Sequence, residues 1–315
     1  METETTPLQR VRVFDAFRHR DFRVLWSGQV VSLIGDAAFF TALGWRAFTL
    51  VGSSRLGIVF LAQGIGLLTT LLIGGALADR IPRRTMMIAS DLARFAVVGV
   101  LAIFDATGNL TFELLLVLTF LNGLGDGFFF PAVGGIVPLV VEQAALPSAN
   151  SLIGVARWGS FIVGPALAAS LYSATGSAVV FALDAASFVG SAALLWFVRP
   201  RAVEPEAREG TFREIGAGVR YVAGIPWLWV TIALFAVILM LQLAPQQVLM
   251  PALVRDHFGR GVTAFGLLTT IFGAGTVIGA LAFGQLHPRR RRGCVCPNAS
   301  VPVTVPMPKT AVSSP

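Results

Sequence analysis

The sequence contains few charged residues. Asp, Glu, Lys and Arg make up 13% of its 315 residues, whereas 55% are hydrophobic and the mean hydropathy is +0.75. Soluble domains carry about 25% charged residues. So few charges cannot cover a soluble surface, and most of the surface must therefore face lipid. We predict an all-α membrane protein.

Cysteine and histidine are also scarce. Cys294 and Cys296 lie near the C-terminus, and His19, His257 and His287 all lie outside the long apolar runs. An intramembrane protease would need a buried nucleophile with a partner such as His, and a prenyltransferase would need Asp-rich metal motifs. Neither pattern is present, and no phosphate-binding P-loop occurs. We expect no catalytic residues, no cofactor and no metal, with an intramembrane enzyme as the disfavoured alternative.

Long apolar runs fill most of the chain. A membrane span needs about 20 mainly apolar residues. Backbone groups cannot stay unpaired in lipid, and runs of this length are too long for barrel strands, so they must be helices. Eight spans are predicted, at 24–45, 56–78, 86–104, 113–140, 150–174, 177–198, 227–250 and 262–286.

The basic residues alternate between the connections. Seventeen arginines lie before span 1, after span 2, after span 6 or after span 8, whereas the opposite face has only four. Positive charge favours the cytoplasmic side. We therefore expect a multi-pass protein of the cell membrane with both termini in the cytoplasm. The net charge of +7 then reflects topology, and no nucleic-acid partner is expected.

The polar segments suggest a division into parts. We predict a cytoplasmic N-terminal segment (1–23), a six-helix bundle (24–198), a cytoplasmic linker (199–226), two helices of a second bundle (227–286), and a basic, Pro-rich, disordered tail (287–315). The tail changes composition abruptly after an Arg run. One hypothesis is that the gene is truncated or frameshifted there, and the alternative function is then a non-functional fragment or a chain that needs a partner.

The turn between spans 2 and 3 carries the most specific motif. Its sequence is GALADRIPRR, with small residues at a helix end followed by an acidic residue and arginines. It resembles the G-x-L-A-D-R-x-G-R-R/K signature of the major facilitator superfamily, with Pro82 where the family usually has Gly. The resemblance assigns the cytoplasmic loop motif to Gly75, Asp79, Arg80, Arg83 and Arg84. We expect Asp91 and Arg94, at the inner end of span 3, to join this charge network.

Span 5 supports the same resemblance. Gly159, Gly164 and Pro165 are similar to the family's antiporter-type motif, although its trailing Gly-Gly is Ala168-Ala169 here. Proline inside a helix permits a kink. The stretches FRHRDFRVLWSGQVV and FFFPAVGGIVPLVV look like the drug/siderophore exporter branch. The resemblance implies a secondary exporter that works by alternating access, with a small amphipathic substrate, protons as coupling ion and a monomeric state if complete.

Besides Asp91 and Arg94, four ionisable residues lie well inside the predicted spans. A charged side chain at the bilayer centre costs about 2.5–3.5 kcal/mol on insertion scales, so such residues are functional candidates. Two carboxyl groups fall near the middle of spans 1 and 4, which line the central cavity in the family fold. They are candidates to carry protons or to contact a cationic substrate. The set of transport and proton-coupling candidates is Asp36, Asp126, Arg157 and Asp184.

Overall fold

The computed structural model describes residues 14–78, 81–201 and 223–285, together with Gly216 and Arg220. Every regular element in these ranges is helical, which confirms the predicted all-α membrane fold. The main helices are α1 (Arg20–Val51), α2 (Ser53–Ala78), α3 (Arg83–Ala106), α4 (Phe112–Val140), α5 (Leu146–Thr175), α6 (Ser177–Trp196), α7 (Pro226–Ala244) and α8 (Val262–Gln285).

Seven helices in the described ranges, α1 to α6 and α8, are long and apolar enough to cross a bilayer. The seventh predicted span, 227–250, differs. Helix α7 ends at Ala244 and passes into two π-helical turns, Pro245–Leu249 and Leu253–His257. Pro245 and Pro251 have no N–H to donate to a preceding carbonyl, so the regular α-helical hydrogen bonding is interrupted there.

Two glycines end long helices. Gly52 follows α1 with φ of 74°, and Gly176 follows α5 with φ of 91°. This left-handed region costs glycine nothing, because glycine has no Cβ. The chain can therefore turn within one residue and enter α2 and α6 immediately.

Helix α1 packs on α5 and α6, while α3 packs on α6 and α4. The closest pair is α2 with α4, where glycines allow the backbones to touch. A Cβ on Gly66 would collide with the carbonyl oxygen of Phe120, and a Cβ on Gly123 would collide with that of Gln63. Small residues are the usual means of close packing between membrane helices.

The buried apolar side chains form two main clusters in the bundle. One, towards the C-terminal end of α1, includes Phe39, Leu43, Leu101, Phe181 and Phe188. The other, towards the N-terminal end of α1, includes Phe22, Leu25, Met87, Ile136 and Leu195. Buried polar and charged side chains, among them Ser90, Asp91, Arg94 and Asp126, lie between them.

The chain divides into two compact units, Met1–Gly275 and Thr276–Pro315, and of the second only the end of α8 is described. Within the first unit, α8 approaches α5 closely: a Cβ on Gly266 would meet the Ala169 side chain, and one on Gly273 would meet the Phe161 carbonyl. Most of the predicted linker (199–226) and the whole predicted tail (287–315) lie outside the described residues. The predicted domain division therefore stays a prediction.

The α2–α4 contact predicts that alanine substitutions at two glycines of α4 differ in their effect on stability. Gly123→Ala forces its new methyl against Gln63, and we expect a loss of stability of about 1–3 kcal/mol from overpacking. Gly134 has no neighbouring atom within 4 Å of an added Cβ. Gly134→Ala should leave thermal unfolding in detergent unchanged or raise its midpoint, because alanine favours helix by up to about 1 kcal/mol. Equal midpoints for the two variants would contradict this packing.

Candidate functional site

A single arginine occupies the middle of the bundle. Arg94 is the twelfth of the 24 residues of α3, and its side chain is 2% exposed. Asp91 lies one turn earlier on the same helix, and its Oδ1 accepts a hydrogen bond from Arg94 Nη2. The i, i+3 spacing places both side chains on one face of α3. This pair turns inward, away from lipid.

Two further carboxylates reach Arg94 from other helices. Asp126, the fifteenth of 29 residues in α4, accepts a hydrogen bond from Arg94 Nη1 at 3.1 Å. Asp36, the seventeenth of 32 residues in α1, holds Oδ2 at 3.7 Å from the same nitrogen. Both acidic residues therefore lie near the middle of their helices. A buried guanidinium is stabilised only when it is paired in this way.

Aromatic rings cover both sides of the guanidinium. Arg94 Cζ lies 4.3 Å from the ring centroid of Phe129 and 4.2 Å from that of Phe188. A planar guanidinium suits this position, because its flat faces stack on rings while its edge donates hydrogen bonds. Gly125 of α4 makes room, since a Cβ there would collide with Arg94 Cγ. The aliphatic stem and the charged head are thus both enclosed.

Asp184 adds a fourth carboxyl group from α6. It is 1% exposed, and its Oδ1 accepts a hydrogen bond from Ser187 at 3.3 Å. The carboxyl group of Asp184 fits against α1 because Gly35 has no side chain. A Cβ on Gly35 would collide with Asp184 Oδ1. Asp184 interacts electrostatically with both Asp36 and Arg94. One cation thus faces four carboxyl groups, and we call these five residues the Arg94 cluster.

A small cavity opens on one side of the Arg94 cluster. Its volume is about 20 Å³, and Asp36 and Arg94 line it together with Gln29, Ser32 and the exposed Arg157. Apolar side chains complete its wall: Leu33, Phe129, Phe130, Val133 and Ile153. Drug-sized ligands occupy pockets of about 300–1,000 Å³. This cavity is therefore large enough for a water molecule but not for an amphipathic substrate.

Arg157 differs from Arg94 in its surroundings. It lies on α5 at the cavity with an exposed side chain, whereas Arg94 is enclosed. Among the residues that the structure describes, no acidic side chain forms an ion pair with Arg157. Its guanidinium is therefore available to an anionic or polar group that enters from outside the bundle.

The loop motif is described only in part. Arg83 Nη1 donates to the Gly135 carbonyl of α4, and Arg84 Nη2 donates to the Trp196 carbonyl at 2.6 Å. These contacts tie the start of α3 to the ends of α4 and α6. Gly75 lies near the end of α2 with open space where its Cβ would be. Asp79 and Arg80 lie outside the described residues.

The predicted span-5 motif lies at a helix crossing. Gly164 and Pro165 are buried, and a Cβ on Gly164 would collide with Ala37 of α1, so α5 and α1 are in backbone contact one residue from Asp36. Gly159 has open space around its Cβ position. Of the three motif residues, Gly164 has a packing role that no other residue could fill.

Asp91 and Arg94 were predicted to join the loop network. The described partners of Arg94 are Asp36, Asp91 and Asp126. Asp79 and Arg80 of the loop lie outside the described residues, so the assignment of Asp91 and Arg94 to that network stays a prediction. Helix α3 begins at Arg83 and not at 86, so Arg94 is the twelfth residue of the helix. The sequence also gave no reason to select Gln29, Ser32 or Phe188, because neutral polar and single aromatic residues are common in spans. Within the described chain, no three His, Cys, Asp or Glu side chains are grouped to hold a metal ion.

Comparison with known proteins shows the family to which this chain belongs. The profile of the transmembrane secretion effector family matches residues 12–315. The chain therefore belongs to that family of the major facilitator superfamily, and the resemblance to its drug and siderophore exporter-like branch is confirmed.

Several curated relatives match most of the chain. Macrolide efflux protein A of Streptococcus pyogenes is 26% identical over 277 residues, which cover 86% of this chain and 68% of the relative. Enterobactin exporter EntS of Salmonella choleraesuis is 28% identical over 286 residues, with 88% and 66% covered. The uncharacterized MFS-type transporter YfiS of Bacillus subtilis is 26% identical over 270 residues, with 83% and 63% covered. The chain thus spans about two thirds of the length of these relatives.

The Arg94 cluster predicts a large effect on stability. Arg94→Gln leaves buried carboxylates without a counter-charge, and breaking a buried pair in this way costs about 3–5 kcal/mol. We expect a much lower midpoint of thermal unfolding in detergent. The difference in unfolding midpoint between Arg94→Gln and the wild type should become smaller at acidic pH, because protonated carboxyl groups no longer need the cation.

Arg157→Gln is the matched control, since it removes the same group from an exposed position. Its unfolding midpoint should stay close to that of the wild type at every pH. An Arg94→Gln protein as stable as Arg157→Gln would show that the cluster is not a structural requirement.

Proposed function

We propose that this protein exports small amphipathic molecules across the cell membrane by alternating access, and that protons drive the export. Membership of the superfamily supports transport, and the names of the relatives suggest a macrolide and a siderophore such as enterobactin as substrate classes. In such folds two bundles rock around a central site.

The observation that carries proton coupling is the composition of the Arg94 cluster. Three buried carboxyl groups and the partly exposed one of Asp36 face one guanidinium, and the described residues around them provide no second cation within ion-pair distance. Unpaired charges are costly in a membrane interior. Some of the carboxyl groups must therefore hold a proton, and a change in their contact with Arg94 changes how many protons the cluster binds.

Asp36 is the member best placed to exchange its proton. Its side chain is 23% exposed, whereas the side chains of Asp91 and Asp126 are 0% and 11% exposed. Its contact with Arg94, at 3.7 Å, is also longer than the 3.1 Å contact of Asp126. A small movement of α1 would break the longer contact first and leave the other pairs intact.

The substrate would bind beside the same cavity. Arg157 and Phe130 offer a cation and an aromatic face next to Asp36, which suits a molecule with both polar and apolar parts. Because the cavity now holds about 20 Å³, the helices around it must move apart before a substrate enters. This requirement agrees with a cycle in which the site opens to one side at a time.

The distribution of arginines supports a cytoplasmic N-terminus.

Asp36→Asn tests the proton coupling. Everted membrane vesicles containing the full chain would be given a proton gradient and a radiolabelled macrolide or radiolabelled enterobactin. Wild-type vesicles should accumulate at least one probe, and Asp36→Asn should reduce the gradient-driven uptake to background, because the amide cannot release a proton.

Asp15→Asn provides the control for a lost carboxylate. Asp15 lies in a short helical turn before α1, and its contact with Arg18 is 4.0 Å long and exposed. Its replacement should leave uptake unchanged, since exposed pairs are worth about 0–1 kcal/mol. Gradient-driven uptake that persists in Asp36→Asn would reject the role of Asp36, and wild-type vesicles that accumulate neither probe would reject these substrate classes.

A further inference from the structure

A stripe of polar side chains runs along one face of α1 to Asp36. Gln29, Ser32 and Asp36 are separated by three and four residues, which is the spacing that aligns side chains on one side of a helix. Gln29 is 4% exposed and Ser32 is 2% exposed, so the stripe faces the bundle interior. All three residues line the small cavity beside Arg157.

Two atoms of this stripe have unmet hydrogen-bonding capacity. Gln29 Nε2 and Ser32 Oγ are buried, and neither has a hydrogen-bond partner among the described residues. Leaving such a group unsatisfied costs about 1–3 kcal/mol. The other serine of α1 behaves differently, since Ser27 Oγ donates to the Arg23 carbonyl of its own helix at 2.9 Å. The orientation of Ser32 towards the cavity therefore needs another explanation.

The dimensions of the cavity fit one water molecule. A water needs about 10–15 Å³ and two to four polar partners, and this cavity offers about 20 Å³ with Gln29, Ser32 and Asp36 on its wall. The amide of Gln29 is a donor, the Asp36 carboxylate is an acceptor, and the Ser32 hydroxyl is both. The set is complementary to a water that accepts from one side and donates to the other.

Among the carboxyl groups of the Arg94 cluster, Asp36 is the one that lines this cavity. The charged groups that face Asp36 are Arg94 and Asp91 from α3, Asp126 from α4, Arg157 from α5 and Asp184 from α6. The side chain of Asp36 is 23% exposed, against 11% for Asp126 and 0% for Asp91, so protons from outside the bundle meet Asp36 first.

We propose that the cavity lined by Gln29 and Ser32 binds a water molecule that relays protons between the Asp36 carboxyl group and the solvent beside Arg157. This relay rests on the proton-coupled export proposed above. On release, the O–H bond of Asp36 breaks as the water gains that proton, and the water passes one of its own protons outward. Ser32 and Gln29 hold the water in line and are positioning residues for this transfer.

Ser32→Val and Ser32→Thr form a matched pair that tests the relay. The two side chains have nearly the same shape, but only threonine keeps the hydroxyl. Purified full-length protein would be subjected to a rapid pH jump in a stopped-flow instrument, and a soluble pH indicator would record proton release. The part of the signal missing from Asp36→Asn defines the release from Asp36. No substrate is required.

Ser32→Val should slow the Asp36 phase about five- to tenfold, the equivalent of one lost hydrogen bond, while Ser32→Thr keeps the wild-type rate. Gln29→Leu should slow the phase similarly and provides a second test if Ser32→Val does not fold. Ser27→Ala, the exposed control on the same helix, should have no effect.

Two failures are distinguishable. If Asp36→Asn removes no proton release, the proposed coupling role of Asp36 is wrong. If the Asp36 phase exists but Ser32→Val and Gln29→Leu release the proton as fast as Ser32→Thr, coupling stands and the relay through this cavity is overturned.

Discussion

The pairing of one buried guanidinium determines how four helices meet. Arg94 has five N–H donors and two flat faces, and it never loses its charge in a protein. Carboxylates from α1, α3 and α4 meet its edge, and rings from α4 and α6 cover its faces. None of these helices can rotate or slide without exposing the charge to lipid or separating it from an acid.

This arrangement requires very close helix packing. Gly125 leaves room for the stem of Arg94, Gly35 for the carboxyl group of Asp184, and Gly164 for the backbone of α1 beside Asp36. A methyl group at any of these positions would push the charged groups apart. These three glycines therefore serve the charged groups, because short ion pairs need backbones that approach closely.

Much of the fold could be predicted from the sequence. Hydropathy locates α1 to α6 and α8, and Asp36 and Asp126 are placed correctly near the middle of their helices, because position along an apolar run translates directly into depth. Arg94 could also have been found: it is the ninth of the 19 residues in the predicted span 86–104, which is a central position. The described partners of Arg94 come from α1, α3 and α4, and hydropathy contains no information on which helices meet.

Other features depend on three-dimensional contacts that no linear pattern contains. Phe188 covers Arg94 only because α6 packs on α3, and Ser32 faces a cavity only because α4 and α5 leave a gap beside α1. The interruption after α7 follows from Pro245 and Pro251. Pro245 lies inside the predicted span 227–250, where a hydropathy average treats it as an ordinary member of an apolar run. Register and rotation of helices decide these points, and hydropathy reports neither.

A double-mutant cycle between Arg94 and Asp126 tests most directly whether the guanidinium organises the buried carboxylates. The unfolding free energies of Arg94→Gln, Asp126→Asn and the double variant would be compared with that of the wild type in detergent. For a direct pair the double variant should lose less stability than the sum of the single losses, with an interaction energy of about 1–3 kcal/mol. Additive losses would contradict the account, because they would mean that Arg94 and Asp126 act independently.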